Sequence, residues 1–260
     1  MSLCPLDDPR TQNMADEHVV SIKDLLAKCS PDERAALFKE LRATHQIHQF
    51  EQVIGAPAEM ILEAIHRAPE LTRRMLRGVI ADAAFAQFIV PALAPAWKDD
   101  TPPGNHSFDY ALSDSQGVVT VQVKLQRSEK GSPVVKNGLR FGFADEVFMV
   151  EPQKTRGGTD GDDKETRPYR YGEFDLLAVS MQPSTGRWDR YMYTVGHWLI
   201  QGKNADEIAV MQPVSMTPNE FWTDDFVVAA AWLRSNYGDK RIKAGKSVRA
   251  KKKTPGLFDL

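Results

Sequence analysis

Three polar side chains lie within two short apolar segments near the middle of this 260-residue chain. Asp109 stands in the first segment, and Gln122 and Lys124 stand in the second, separated by one valine. A polar turn over residues 114–117 joins the segments, so a hairpin there brings the three side chains together. Carboxylate and amide oxygens hold a hard cation such as Mg²⁺, and an ammonium group stabilises developing negative charge. The set therefore suits hydrolysis of a phosphodiester.

The second segment alternates between the two faces of a predicted strand. Val119 and Val121 fall on one face, while Gln122 and Lys124 fall on the other. A solvated outer face explains this alternation without any chemistry, and the pattern alone leaves that alternative open. Asp109 favours a functional interpretation, because it stands among apolar neighbours and not in the turn.

The two segments resemble the motif of the PD-(D/E)XK nuclease superfamily, which includes many restriction endonucleases. Asp109 matches the Asp of that motif and Lys124 matches its Lys, whereas Gln122 replaces the acidic residue, as in Gln-X-Lys members. The nominal proline before the Asp is absent. Many members carry another carboxylate on a helix before the hairpin. Residues 77–90 resemble that helix, with Asp82 in the acidic position.

This resemblance, over roughly residues 75–195, implies a Mg²⁺-dependent DNA endonuclease of the type II-like restriction class. It implies catalytic roles for Asp109, Gln122 and Lys124, and a Mg²⁺ site formed by Asp82, Asp109 and Gln122. Double-stranded DNA is the expected substrate. A homodimer is the expected assembly, because cutting both strands is simplest with two active sites. A cognate DNA methyltransferase in the same system is a further expected partner, since it would protect the host's DNA.

Two other functions remain open at this point. One is a DNA-binding module with a degenerate nuclease core, which Gln122 favours because an amide binds cations less strongly than a carboxylate. The other is a nuclease of DNA repair or transposition. Glu173 and Asp175 form a further acidic pair on a predicted strand, and either joins the metal site or faces water.

Basic residues that follow the hairpin are candidates for contact with DNA. They are Arg127, Lys136, Arg140, Lys154 and Arg156. Lysines bind phosphates, and arginines also read guanine edges. Ordinary solvated loop charge is the alternative explanation for the same residues.

The elements around these residues change character at residues 98–105. Upstream, residues 18–93 have a helical pattern, in which Ser30, Pro31 and Glu33 form a strong helix-start signal. Downstream, short alternating or β-branched segments predict strands, and a late helix follows. The predicted strands are 107–112, 118–126, 145–151, 174–182 and 188–195. We therefore predict an α/β fold, with a restriction-endonuclease-like mixed β-sheet core flanked by helices and an N-terminal helical region.

The predicted domains follow these changes in composition. They are an N-terminal helical region (1–74), a PD-(D/E)XK-like nuclease core (75–239) and a disordered basic tail (240–260). The tail carries eight positive charges and no acid over residues 240–253, which suggests non-specific phosphate binding. The two cysteines form no metal-type cluster, and no secretory signal or apolar segment of about 18 residues is evident. We therefore expect a cytoplasmic protein without a membrane partner.

Overall fold

The structure is a computed structural model that describes residues 9–154, 168–235 and 240–244. The chain divides into two compact units, Met1–Arg73 and Arg74–Leu260. The second unit begins inside the helix Glu70–Ala84.

Four complete helices are described in the first unit. Their bounds are Pro9–Lys28 (α1), Pro31–Thr44 (α2), Phe50–Ile54 (α3) and Ala58–Arg67 (α4). The predicted start of α2 is confirmed: the Ser30 side chain accepts a hydrogen bond from the Glu33 N–H, and the Ser30 N–H donates one to the Glu33 carboxylate. This capping box satisfies two backbone groups that the first turn of a helix leaves unpaired.

A buried glutamate fixes the loops between the short helices of this unit. Glu51 accepts hydrogen bonds from the backbone N–H groups of Ile47 and His48, at 2.6 Å each, and from that of Ala58 at 3.0 Å. These bonds, the one from His48 foremost, lower the pKa of the Glu51 carboxyl. Large apolar side chains nevertheless stay exposed along the helices, among them Leu25, Phe38, Val53 and Met60.

One long helix carries Asp82. It consists of α5 (Glu70–Ala84), a π-helical turn (Phe85–Ile89) and α6 (Val90–Leu93). The helical pattern of the sequence extends to residue 93, and the helix ends at Leu93 although Pro91 lies within it. Pro91 falls at the start of α6, directly after the π-helical turn. The α-helical ladder of hydrogen bonds is already interrupted there, which lets the helix accept a residue without an N–H.

The same helix is relevant to the expectation that the protein has no membrane partner. By length and composition, Glu70–Leu93 is able to cross a membrane, and the core helix of a soluble protein passes the same test. Ala81 and Phe85 are fully buried in the core of the second unit.

The remaining elements of the second unit are mostly short. The strands are Lys98–Asp99 (β1), Tyr110–Asp114 (β2), Gly117–Leu125 (β3), Ser128–Glu129 (β4), Ser132–Pro133 (β5), Val135–Lys136 (β6), Val147–Val150 (β7), Leu176–Ser180 (β8), Tyr191–Val195 (β9) and Gln212–Ser215 (β10). The helices are Gln182–Thr185 (α7) and Phe226–Arg234 (α8), with 3₁₀ turns at Gly138–Phe141 and Gly196–Trp198.

A mixed sheet forms the centre of this unit, with strand order β1-β2-β3-β8-β9. β2 and β3 form the predicted antiparallel hairpin, in which Tyr110 pairs with Val121 and Asp114 with Gly117. β3 runs parallel to β8, and β9 returns antiparallel to β8. The chain between β3 and β8 supplies β4 to β7. β6 and β7 join β10 in a second, antiparallel sheet, and β4 pairs with β5.

Both faces of the central sheet are covered. The alternating valines of β3 belong to one core cluster, together with Phe85. Leu177 and Val179 of β8 belong to a second cluster on the opposite face. Because Gln122 pairs with Leu177 and Lys124 with Val179, the polar residues of β3 lie on this second face. A solvated outer face therefore does not explain Gln122, which is 2% exposed.

The coarse fold prediction is confirmed, because the molecule is a mixed α/β protein with a mixed sheet and several helices. The five predicted strands correspond to β2, β3, β7, β8 and β9, and the predicted late helix to α8. Asp225 caps α8 by accepting a hydrogen bond from the Val227 N–H at 2.7 Å. No sequence signal indicated β10, whose Gln212-Pro213 start breaks the strand pattern.

Residues 240–244 pack on the second unit, although the sequence pattern assigned them to a disordered basic tail. Ile242 is 3% exposed, and its N–H donates to the Trp198 carbonyl at 2.8 Å. The Lys240 ammonium lies 4.6 Å from the ring centroid of Trp198 and 4.7 Å from that of Phe221. The basic composition of this segment gave no indication of these contacts of Lys240 and Ile242, which we call the anchor. The rest of the predicted tail lies outside the described residues.

Candidate active site

Asp109 lies one residue before β2, and its side chain ties the two strands of the hairpin together. Its Oδ2 accepts hydrogen bonds from the Val123 N–H at 2.7 Å and from the side-chain amide of Gln122. Its own N–H donates to the Val121 carbonyl at 2.9 Å. The hairpin therefore brings Asp109 and Gln122 into direct contact.

The Gln122 side chain is held at both ends. Its Nε2 donates to Asp109, and its Oε1 accepts a hydrogen bond from the Tyr169 hydroxyl at 2.9 Å. An ionised carboxylate accepts hydrogen bonds and donates none. The amide nitrogen therefore faces Asp109, and the amide oxygen faces Tyr169.

Lys124 extends from the same face of β3 as Gln122. Its ammonium lies 5.3 Å from the centroid of the Tyr169 ring, within the range of a cation–π contact. Burial lowers the pKa of Lys124, and the negative charges of Asp109 and Asp82 oppose this shift. Lys124 is thus a largely desolvated cation close to two carboxylates.

Asp82 is positioned by two tyrosines of the central sheet. The Tyr110 hydroxyl donates to the Asp82 carbonyl at 2.9 Å, and the Tyr191 hydroxyl donates to the Ala81 carbonyl at 2.7 Å. In the π-helical turn that follows, backbone hydrogen bonds span five residues and not the four of an α-helix. The two tyrosines therefore fix α5 to β2 and β9 at the residue that carries the carboxylate.

The two carboxylates of this cluster share one lysine. Burial raises the pKa of Asp109, Lys124 opposes that shift, and Asp82 adds to it. Burial likewise raises the pKa of Asp82, opposed by Tyr110 and Lys124. The Oδ1 atom of Asp82 is buried and has no hydrogen-bond partner among the described residues. Burial therefore favours neutralisation of these carboxyls, either by a proton or by an additional cation.

The donor atoms at this position suit Mg²⁺ in kind. Asp82 and Asp109 offer carboxylate oxygens, and Gln122 offers an amide oxygen, all of which are hard ligands. Within the part of the chain that the structure describes, no group of three His, Cys, Asp or Glu side chains is arranged to hold a metal ion. The cluster has two acids and an amide. The unpartnered Asp82 oxygen is the observation that fits a cation here.

The acidic pair before β8 is engaged in other contacts. The Asp175 carboxylate accepts hydrogen bonds from the Thr120 N–H at 2.8 Å and from the Thr120 hydroxyl at 2.7 Å. Glu173 forms an ion pair with Lys154 at 2.6 Å. Asp175 therefore fastens β8 to β3, and Glu173 positions a basic residue.

Lys154 is the candidate DNA-contacting residue that lies beside the cluster. Its ammonium is 5.4 Å from the centroid of the Tyr169 ring. Because the Lys124 ammonium lies at a similar distance from the same ring, two positive charges flank Tyr169.

The other candidate DNA-contacting residues lie in different surroundings. Arg127 is paired with Glu129 and Glu151, which compete with phosphate for its guanidinium. Lys136 and Arg140 are exposed. Arg156 lies outside the described residues.

Tyr169 is the site residue that sequence reasoning missed. Its sequence context indicated only a place at the end of the long charged loop that precedes β8. Its contacts with Gln122 and both lysines depend on the path of the chain before β8, and no periodic pattern reports that path. It is 5% exposed.

Together these features define an α/β protein whose mixed sheet carries a partly buried Asp–Gln–Lys cluster beside a helix-borne carboxylate. No protein-family model matches the chain, and no curated protein matches it. Among solved structures, that of a bacterial homing endonuclease aligns with 25% identity over 46% of this chain and 68% of that chain, with a TM-score of 0.29.

Proposed function

We propose that this chain is a Mg²⁺-dependent DNA endonuclease with a PD-(D/E)XK core, of the type II-like restriction class. The observation that carries the proposal is the contact of Asp109 with Gln122 beside the partly buried Lys124. The order of elements supports it. A helix bearing Asp82 precedes the hairpin, as the sequence resemblance implies, and β8 follows and runs parallel to β3.

The proposed roles follow from the chemistry of each side chain. Asp82 and Asp109 would hold Mg²⁺, and the Gln122 amide oxygen would join them once the amide turns over, because its nitrogen faces Asp109 in this structure. When bound, Mg²⁺ acidifies a coordinated water and offsets the charge of the phosphate. Lys124 stabilises the negative charge that develops on the phosphate, and its desolvated surroundings strengthen that interaction.

The substrate in this proposal is double-stranded DNA, bound through its phosphates. Lys154 beside the cluster, with the exposed Lys136 and Arg140, supplies positive charge for contacts that do not depend on sequence. Arg127 is already paired with two acids and is a weaker candidate.

A second candidate function is a DNA-binding module with a degenerate nuclease core. Gln122 is the specific observation that favours it, because the cluster then offers a cation only two carboxylates. A nuclease of repair or transposition would use the same cluster and differs only in the pattern of its products.

We further propose that the protein is a cytoplasmic homodimer that acts beside a cognate DNA methyltransferase. The exposed apolar side chains of α1 to α4 are consistent with a contact between copies. Light scattering of the chain on a short duplex should give two chains per duplex. One chain per duplex would contradict the dimer.

Incubation with supercoiled plasmid, with Mg²⁺ or with EDTA, tests the function and separates the alternatives. Discrete fragments that require Mg²⁺ are the expected result. Nicking or a smear would indicate a repair or transposition nuclease. DNA that is retarded on a gel but intact would indicate the binding module.

A further inference from the structure

Tyr169 contacts every part of the cluster that lies on β3. Its hydroxyl donates to the Gln122 Oε1 at 2.9 Å, and the ammonium groups of Lys124 and Lys154 lie 5.3 and 5.4 Å from its ring centroid. Tyr169 lies between β7 and β8 in the chain, so it joins the cluster from outside the hairpin that positions Asp109.

The Tyr169 side chain is itself rigidly held. Its ring packs edge-on against Phe174, with centroids 5.2 Å apart and an interplanar angle of 87°. Its carbonyl accepts a hydrogen bond from the Ile208 N–H at 2.8 Å. The hydroxyl therefore approaches Gln122 from a fixed direction.

This hydroxyl holds the Gln122 amide with its nitrogen towards the Asp109 carboxylate and its oxygen away from it. The amide nitrogen donates a hydrogen bond to the Asp109 carboxylate, and the amide oxygen accepts one from the Tyr169 hydroxyl. Without the phenol, the buried oxygen loses its donor and the amide is free to rotate about its terminal bond. The ring face also attracts the Lys124 ammonium, whereas Lys154 is held by its ion pair with Glu173.

We infer that Tyr169 is a positioning residue of the candidate active site, which orients the Gln122 amide through its hydroxyl. The expected effect on DNA cleavage rests on the proposed endonuclease function. The orientation of the Gln122 amide by Tyr169 does not. Outer groups that orient metal ligands typically contribute about 10- to 100-fold in metal affinity or activity.

The test compares Tyr169→Phe with Tyr171→Phe in the full chain. Tyr171 is a matched control, because its hydroxyl donates to the Leu199 carbonyl at 2.8 Å and not to the cluster. In Tyr169→Phe, the Gln122 amide oxygen is free to turn towards Asp109, so the Mg²⁺ concentration that gives half-maximal cleavage should fall about 10-fold or more. Tyr171→Phe should match the wild type. Equal Mg²⁺ requirements for the two variants would overturn the inference.

A spectroscopic measurement without metal or DNA separates this inference from the proposed function. The side-chain amide signals of Gln122 in a ¹H–¹⁵N spectrum should shift in Tyr169→Phe and stay in place in Tyr171→Phe. An unmoved Gln122 signal in Tyr169→Phe overturns the positioning role, even if the wild type cleaves DNA. A shifted signal supports that role, even if the wild type does not cleave DNA.

If Tyr169→Phe does not fold, the wild-type chain supplies the test. The Tyr169 hydroxyl proton should then give a resolved signal with a nuclear Overhauser effect to the Gln122 side chain. Rapid exchange of that proton with water, with no such effect, would overturn the inference.

Discussion

The side-chain amide of Gln122 donates a hydrogen bond to the carboxylate of Asp109 inside the central hairpin. An amide therefore occupies the position where the nucleases that this chain resembles commonly carry an acid. We expect Gln122→Glu to retain cleavage and to need less Mg²⁺ for half-maximal rate, because a carboxylate binds a hard cation more strongly than an amide. The Mg²⁺ dependence of the cleavage rate measures this.

The same substitution should reduce stability when no metal is present. The introduced carboxylate would stand against Asp109, and two acids in contact repel each other. We expect thermal unfolding of Gln122→Glu in EDTA at a lower temperature than wild type, with most of the loss recovered in Mg²⁺. If Gln122→Glu unfolds at the same temperature with and without Mg²⁺, the side chain at position 122 is not a ligand of the metal.

Asp82 offers a direct test of metal binding that does not require cleavage. Its buried Oδ1 has no hydrogen-bond partner among the described residues, so a bound cation would stabilise the wild-type fold. Ligand at about 100 times its dissociation constant stabilises by about 2.7 kcal/mol. We expect thermal unfolding of the wild type to shift upward in Mg²⁺ and that of Asp82→Asn to shift much less. Asp145→Asn, which alters an exposed acid, is the control and should behave as wild type.

A pH-dependent contribution to stability comes from Arg234 of α8 and Asp114 at the end of β2. Arg234 donates two hydrogen bonds to Asp114, at 2.7 and 2.6 Å, and the pKa of Asp114 is lowered chiefly by them. A carboxyl whose pKa is lower in the folded state stabilises the fold above its unfolded pKa of about 3.9, and this contribution is lost as pH falls through the folded value.

We therefore expect wild type to lose stability more steeply than Arg234→Met as pH falls below about 4. At neutral pH the wild type should be the more stable of the two. Urea unfolding of both proteins across this range measures the difference. If the two proteins lose stability equally as the pH falls, the ion pair with Arg234 does not lower the pKa of Asp114.

Features that depend on residues close together in the sequence could be predicted from it. Features that depend on contacts between distant parts of the chain could not. The hairpin rests on local signals, since the turn before Gly117 and the alternating valines fix its register, and the contact of Asp109 with Gln122 follows. The contacts of Tyr169 and Ile242 connect distant parts of the chain, and no local pattern encodes them. Pro91 shows the opposite limit, because proline commonly ends a helix but lies here within one, shortly after a π-helical turn.

The anchor at Ile242 decides where the basic tail is best removed. Truncation after Gly238 would delete the packed Lys240 and Ile242 together with the charged residues. Truncation after Ala244 keeps the anchor and removes five positive side chains. We expect weaker DNA binding at low salt and a salt slope shallower by about 0.9 for each phosphate that the tail neutralises. The cleavage pattern should stay the same, and an unchanged slope would remove the tail from the DNA interface.

The most direct test of the active-site assignment is the plasmid cleavage rate of Asp109→Ala and Lys124→Ala in Mg²⁺, beside wild type. Lys98→Ala is the control, since Lys98 is an exposed lysine paired with Asp100. Loss of one group that stabilises the transition state commonly costs about 10²- to 10³-fold in rate. We predict at least that loss in Asp109→Ala and Lys124→Ala, with folding and DNA binding largely intact, and wild-type cleavage in Lys98→Ala. Cleavage at the wild-type rate by Asp109→Ala or by Lys124→Ala would contradict the assignment of this cluster as the active site.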